Sequence, residues 1–183
     1  MKQALTSVLL CLTLTLPSGL YADSFPKGIK YLGGPGYPDV EDVRDSWDNS
    51  LNITDNEITF GFRKNLIPTE TIATSSVIRI TYGQATTRRV GKWVAAAILL
   101  APLALVGIFH KSRQYRVLVE WMDDQDRERA ILMQVHKDHF VGVLNDLAFR
   151  TQQAIYANAD DQEWLFDRGV KADLDEKDPD PGR

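Results

Sequence analysis

Cysteine is almost absent from this sequence, in which Cys11 is the single one among 183 residues. It lies in a segment with the order of a secretory signal peptide: a basic residue, an apolar stretch, and the helix breakers Pro17 and Gly19. Residues 1–22 are therefore predicted to be a signal peptide, cleaved after Ala22 or retained as an anchor. Cleavage would leave no cysteine, which excludes disulfides, a thiol nucleophile and cysteine-ligated zinc.

An excess of positive charge is also lacking. The chain has 21 Lys and Arg against 25 Asp and Glu, and its acidic surplus lies near the C-terminus. A surface that binds nucleic acid needs a local excess of Lys and Arg, so nucleic acid is excluded as an expected partner. Residues 158–183 are predicted to be an acidic, largely disordered tail, because they have too little apolar surface to offset chain entropy.

Motifs of catalysis are missing as well. The sequence contains no G-x-S-x-G and no Gly-rich phosphate loop. We therefore assign no catalytic residue, no metal ligand and no cofactor, and we expect the protein not to be an enzyme. His136 and His139, three residues apart, leave open an envelope enzyme or a metal-dependent hydrolase, although a metal site needs at least a third ligand.

Alternating apolar and polar residues predict β-strands in the middle of the chain. The pattern occurs at 51–62, 77–82 and 115–121, and another strand follows the charged turn at 123–129. Residues 23–50 are rich in Gly and Pro, so they are predicted to be a linker or a first strand.

One amphipathic helix is predicted after these strands. Apolar residues recur there at intervals of three and four, as on one stripe of a helix, namely Phe140, Val143, Leu144, Leu147, Thr151 and Ile155. Asp138 is the candidate N-cap. A curled antiparallel sheet leaves an apolar opening that such a helix can close. The predicted fold is mainly β with a C-terminal helix, an α+β class.

Four segments carry a resemblance to a known group of proteins: LNITDNEITF, ITYGQATTRRVGKW, YRVLVEWMDD and HFVGVLNDLAFRT. Together they resemble a group of small exported bacterial proteins with a pleckstrin-homology-like (PH-like) domain. The resemblance implies a PH-like antiparallel barrel over residues 51–157, closed by the amphipathic helix. PH-like folds generally imply lipid or protein binding.

A run of seventeen uncharged residues, Trp93 to Phe109, interrupts the strands. A helix of this length rises about 25 Å, against a bilayer core of about 30 Å. Pro102 lies near the midpoint and favours a bend. An apolar helical hairpin at a membrane, a single transmembrane span and a segment buried in protein all stay open. In the hairpin, Trp93, Pro102 and Phe109 would form the membrane anchor.

Basic residues flank this apolar run on both sides. The candidates for binding lipid headgroups are Arg88, Arg89, Lys92, Lys111 and Arg113. Each basic residue near an anionic membrane surface contributes on the order of 1 kcal/mol. If the strands at 77–82 and 115–121 are neighbours in one sheet, both flanks lie on the same side of the membrane.

These features together predict a non-catalytic binding or scaffolding module of the cell envelope. It would be exported to the periplasmic side of a bacterial membrane and stay associated with that membrane. Its first partner would be the lipid surface. Trp164, Leu165 and Phe166 either pack back as an extension of the helix or form a short motif on which a protein partner docks. The alternatives are the enzyme or hydrolase named above and a small subunit of a membrane complex.

Overall fold

The computed structural model describes residues 23–34, 46–62, 70–83, 85–86 and 115–175. These ranges contain nine strands and two α-helices. The strands are β1 (Asp23–Gly33), β2 (Asn49–Ile53), β3 (Glu57–Gly61), β4 (Glu70–Ala73), β5 (Val77–Tyr82), β6 (Arg116–Met122), β7 (Glu128–Val135), β8 (Ile155–Ala157) and β9 (Ala172–Leu174). The helices are α1 (Phe140–Thr151) and α2 (Ala159–Phe166), and a 3-10 turn (Thr74–Ser76) joins β4 to β5.

All these strands form one sheet in the order β4-β3-β2-β1-β7-β6-β5-β8-β9. The first seven strands in this order, from β4 at the end of the sheet to β5, pair antiparallel with their neighbours. The pairs β5–β8 and β8–β9 are parallel. The alternation in the sequence sends every second side chain to the core. Inward residues of β2 and β3 are at most 1% exposed, namely Leu51, Ile53, Ile58 and Phe60.

Thr54 organises the tight turn between β2 and β3. Its hydroxyl oxygen accepts hydrogen bonds from the backbone N–H groups of Asn56 and Glu57, at 3.3 and 3.0 Å. Its backbone N–H donates to the carbonyl oxygen of Glu57 at 2.9 Å. A threonine side chain thus replaces backbone partners within the turn, and the strands predicted at 51–62 pair as an antiparallel hairpin.

Asp123 holds the turn between β6 and β7. Its carboxylate accepts from the backbone N–H groups of Gln125 and Arg127, at 2.9 and 3.0 Å. It also accepts from Nε of Arg127 and Nε of Arg129, both at 2.9 Å. The Arg127 side chain is the main cause that holds the pKa of Asp123 well below its usual range.

The lowered pKa of Asp123 gives a prediction for acid stability. In the unfolded chain an Asp titrates near pH 3.9, so this carboxylate stabilises the fold fully above about pH 4, and the contribution is lost as the pH falls towards the lower folded-state pKa. We expect Asp123→Asn to lower the urea midpoint at neutral pH, with a clearly smaller difference from the wild type at about pH 2. Asp124→Asn, in the same turn, is the control. An Asp123→Asn difference of equal size at both pH values would contradict this account.

α1 packs the predicted apolar stripe on the sheet up to Thr151, where the helix ends, whereas Ile155, the last residue of the predicted stripe, lies on β8. The buried residues are Phe140, Val143, Leu144, Leu147 and Thr151. The predicted N-cap is different, because the cap position is His139, which makes no side-chain cap hydrogen bond. The carboxylate of Asp138 lies 3.2 Å from Nδ1 of His136 instead. At the C-terminal end, Gln152 adopts the left-handed conformation that ends many helices.

The predicted mainly β, α+β class is confirmed, but the closed barrel is wrong for the part of the chain that the structure describes. The sheet is open, with β4 at one end and β9 at the other. Closure would require the end strands β4 and β9 to pair, which they do not do in this sheet. A shorter barrel would require β4 to pair with β5, the next strand in the chain. Both edges of β5 are already occupied, by β6 and by β8. β4 therefore has no edge of β5 left for pairing.

Across the described ranges, neither helix combines the length and the apolar character needed to cross a membrane. This finding corrects the expectation of a transmembrane helix. The apolar residues 93–109, where that helix was expected, lie outside the described residues.

Regular structure extends beyond both limits predicted for the domain. Within the 23–50 region, for which a linker and a first strand both stayed open, residues Asp23–Gly33 form the strand β1. α2 and β9 lie within the 158–183 region that was expected to be largely disordered. The sequence pattern misses α2 and β9 because their stability comes from contacts with distant residues.

A buried ion cluster holds the C-terminal strand to the sheet. The guanidinium of Arg79 on β5 donates to Oδ1 of Asp175, and its Nε lies 3.9 Å from Oε2 of Glu120. Its Cζ lies 3.7 Å from the ring centroid of Tyr156. The side chains of Arg79, Asp175 and Glu120 are 15%, 8% and 1% exposed. The residue that follows β9 is thus tied to the middle of the sheet.

Candidate functional site

The residues predicted to meet the membrane belong to a connection that leaves and rejoins the sheet at one place. Tyr82 at the end of β5 pairs with Val117, and the N–H of Gly83 donates to the carbonyl oxygen of Arg116 at 2.9 Å. The prediction that β5 and β6 are neighbours is confirmed. We call residues 84–114 the β5–β6 connection.

All eight sequence-predicted site residues fall within the β5–β6 connection. They lie outside the described residues: Trp93, Pro102, Phe109, Arg88, Arg89, Lys92, Lys111 and Arg113. The structure therefore informs their role only through the two ends of the connection and the side chains that pack against those ends.

Gly83 makes the turn at the start of the connection. Its φ angle is +67°, and its carbonyl oxygen accepts from the hydroxyl of Thr86 at 2.7 Å. A Cβ at position 83 would lie 2.2 Å from Oδ2 of Asp161 on α2. Only glycine combines the left-handed backbone with so close an approach. The start of the connection therefore packs directly against α2.

Four aromatic side chains surround the two ends, and we call them the base cluster: Tyr82, Tyr115, Phe140 and Trp164. The Trp164 ring is within 7° of parallel to Tyr82 and within 22° of parallel to Phe140, at centroid distances of 6.2 and 5.2 Å. Tyr115 lies 4.8 Å from Phe140 and 5.9 Å from Trp164. Such aromatic pairs each contribute about 0.5–1.5 kcal/mol beyond area burial. The cluster joins β5, the start of β6, α1 and α2.

α2 reaches the base cluster because its first turn is capped. Oδ1 of Asn158 accepts from the N–H of Asp161 at 2.8 Å, which satisfies a backbone donor that the helix cannot. The guanidinium of Arg168, after the helix, lies 3.9 Å from the Trp164 ring centroid and donates to the Trp164 carbonyl oxygen at 3.0 Å. The ring of Trp164 is held by aromatic neighbours and by this cation.

The structure separates the three residues of the predicted docking motif. Trp164 belongs to the base cluster, and Leu165 is fully buried in the core. Phe166 is 76% exposed. Phe166 alone of the three presents an apolar side chain to a partner, so a motif made of all three does not form one surface.

A buried positive charge lies where the connection returns to the sheet. Arg116, the first residue of β6, is 6% exposed, and desolvation by burial lowers its pKa. Arginine nonetheless stays charged at neutral pH because its unperturbed pKa is so high. Arg116 therefore places a permanent positive charge where the connection rejoins the sheet, beside Gly83.

His136 and His139 come together, but they do not form a metal centre. Their ring centroids are 6.1 Å apart, and the rings of Trp47 and Phe25 pack against them at 5.5 and 5.9 Å. The described ranges contain no group of three side chains that could hold a metal ion. The alternative of a metal-dependent hydrolase therefore gains no support from this geometry.

Comparison with known proteins adds no relative. No protein family, no curated protein and no solved structure matches this chain. The resemblance to exported proteins with a PH-like domain therefore stays a prediction.

Sequence reasoning missed the base cluster. Tyr82 and Tyr115 carried a signal, because each is the aromatic residue nearest to the connection in its alternating strand pattern. Phe140 was identified only as part of the helical stripe. Trp164 carried no such signal, since its place beside Tyr82 depends on how α2 folds back over the sheet.

Proposed function

We propose that this protein is a non-catalytic binding or scaffolding module of the bacterial cell envelope, exported to the periplasmic side. The apolar residues 93–109 and their basic flanks would hold it at a membrane surface. The observation that carries the proposal is the hydrogen bond between Gly83 and Arg116, which brings the two ends of the β5–β6 connection together.

Adjacent ends mean that the connection returns to the side of the sheet from which it leaves. In this proposal the two basic flanks would face the same membrane leaflet, with the apolar residues between them. Such an arrangement favours an anionic lipid surface, because apolar burial and electrostatic attraction act at one place. Trp93 and Phe109, near the ends of the apolar run, suit the boundary between headgroups and hydrocarbon.

The base cluster supports the proposal by restricting the ends of the connection. Stacked rings from four elements limit how these ends move relative to the sheet. Lipid contact by the connection would therefore orient the whole domain. A PH-like origin is part of the proposal, and the antiparallel strands β1 to β7 followed by α1 are consistent with it, with β8, α2 and β9 as additions.

The test is binding of the full chain to vesicles. We expect a triple variant, Arg88→Gln, Arg89→Gln and Lys92→Gln, to bind vesicles of phosphatidylethanolamine and phosphatidylglycerol on the order of a hundredfold more weakly than the wild type. Three basic residues at about 1 kcal/mol each give that ratio. Cosedimentation across a lipid titration measures it.

A matched control removes three positive charges elsewhere. Lys27, Arg127 and Lys137 are exposed on the described surface, and their replacement by Gln should leave vesicle affinity nearly unchanged. Trp93→Asp together with Phe109→Asp should remove binding to neutral and anionic vesicles alike. A wild-type protein that stays unbound, or equal affinities for the triple variant and its control, would refute the proposal.

A further inference from the structure

Exposed apolar side chains gather around the edge strand β9. Among the described residues, Phe149, Phe166 and Leu174 are 68%, 76% and 45% exposed. Two grooves lie beside them: one of about 520 Å³ lined by Ala148, Phe149 and Ile155 among others, and one of about 230 Å³ that includes Phe166. Lys171, which precedes β9, lines both grooves. Apolar surface concentrated at one edge is typical of an interaction site.

β9 presents backbone groups along its outer edge. The N–H of Asp175 donates to the carbonyl oxygen of Ala157 at 3.0 Å. In a parallel ladder alternate residues bond to the same neighbour, so Asp173 faces β8 while Ala172 and Leu174 face outwards. The amide of Gln162 donates to the carbonyl oxygen of Ala172 at 2.8 Å and occupies one of its two lone pairs. Within the described ranges, the second lone pair and the N–H of Ala172 point away from β8 and are available to a strand added at this edge.

The charges along this edge are self-complementary. Lys171 and Asp173 are exposed on either side of Ala172, and neither forms an ion pair within the described ranges. If two such edges meet antiparallel with Ala172 opposite Ala172, Lys171 of each copy stands opposite Asp173 of the other. Directly opposite residues of opposite charge stabilise a strand pair, and like charges destabilise it.

We propose that two copies of this chain associate through β9, by antiparallel pairing about a two-fold axis at Ala172. A two-fold interface uses one self-complementary patch on both copies, and the order of Lys171 and Asp173 supplies that patch. Phe149 and Phe166 flank the paired strands and bury apolar surface next to the grooves. This surface is distinct from the base cluster: Phe149 is nine residues beyond Phe140 along α1, a rise of about 14 Å.

Because Lys171 and Asp173 lie opposite each other in the proposed dimer, the experiment exchanges the charges at these two positions. Lys171→Asp places two acids opposite each other at both ends of the pairing, and Asp173→Lys does the same with two bases. Each single variant should weaken the dimer about tenfold or more, because two attractive pairs become two repulsive ones at several tenths of a kcal/mol each. The double variant Lys171→Asp, Asp173→Lys restores opposite charges and should return to within about threefold of the wild type. Sedimentation equilibrium of the full chain in nonionic detergent gives the dissociation constants.

Matched controls make the same charge changes away from β9. Lys137→Asp, after β7, and Asp124→Lys, in the β6–β7 turn, lie at exposed positions and should leave the dissociation constant unchanged. Association through the apolar connection would be equal in all variants. A wild-type monomer at every concentration, single variants that behave like their controls, or a double variant as weak as the singles would each overturn the proposal, whatever the vesicle experiment shows.

Discussion

Arg79→Ala is expected to lower the free energy of unfolding by about 3–5 kcal/mol, the range observed when one partner of a buried ion pair is removed. Arg79 contacts Asp175 by a hydrogen bond and has Glu120 3.9 Å from its Nε. Both acids are buried, at 8% and 1% exposure. Without the guanidinium, Asp175 loses this donor while it stays away from water. Tyr156 loses the cation stacked on its ring.

Urea unfolding followed by circular dichroism measures this loss, and hydrogen exchange locates it. Amide protons of β9 should exchange faster in Arg79→Ala, because Asp175 no longer ties the end of that strand to β5. Arg168→Ala removes an exposed arginine that stacks on Trp164, and it should cost no more than about 1 kcal/mol.

A double-mutant cycle separates the ion pair from other effects of Arg79. Arg79→Ala with Asp175→Ala should destabilise by less than the sum of the single changes, with a coupling of about 1 kcal/mol or more. Additive effects, or a loss in Arg79→Ala no larger than in Arg168→Ala, would show that the cluster does not stabilise the fold in this way.

Gly83→Ala is expected to cost about 2–5 kcal/mol. A side chain in the left-handed region costs about 1–2 kcal/mol, and forcing an atom into a packed site adds about 1–3 kcal/mol. The new Cβ would lie 2.2 Å from Oδ2 of Asp161 and 2.7 Å from its Cγ. Either α2 moves away or Gly83 leaves its bond to Arg116, and both disturb the base cluster.

Gly169→Ala is the matched control for the backbone part of this effect. Its φ angle of +74° resembles that of Gly83, but nothing lies within 4 Å of a Cβ at that position. It should cost only the strain of about 1–2 kcal/mol. Adding Asp161→Ala to Gly83→Ala should recover part of the difference. Equal losses in the two glycine variants, measured by thermal and urea unfolding, would rule out the contact with Asp161.

Elements with a long regular pattern were predictable. Alternation marked β2, β3, β5 and β6, and the three-and-four spacing marked α1. β7 was expected as the strand that follows the charged turn at 123–129. β4, β8 and β9 have only three or four residues each, which is too short for a period to stand out. Asp138 fits the composition of an N-cap, yet its carboxylate lies beside His136, a contact that no local pattern records.

The candidate site was predictable only in part. The apolar run and its basic flanks are visible in the sequence, and so is the alternation on both sides of them. The alternation is compatible with the pairing of β5 with β6 at Gly83 and Arg116, but it does not require that pairing. Arg116 and Glu120 have the spacing of an exposed polar face, but the structure buries both.

Which residues share a face of a strand or helix could be read from the sequence alone, because that depends on the geometry of one element and its 2.0- or 3.6-residue repeat. The positions of the uncharged run and of its basic flanks are also visible in the sequence. Three outcomes depend on the folded chain: which edge each strand occupies, that the sheet of described strands is open, and that α2 packs beside both ends of the connection. Those outcomes follow from contacts between residues far apart in the chain, such as Arg79 and Asp175, which are 96 positions apart. Such contacts exist only after the chain has folded and desolvated them together.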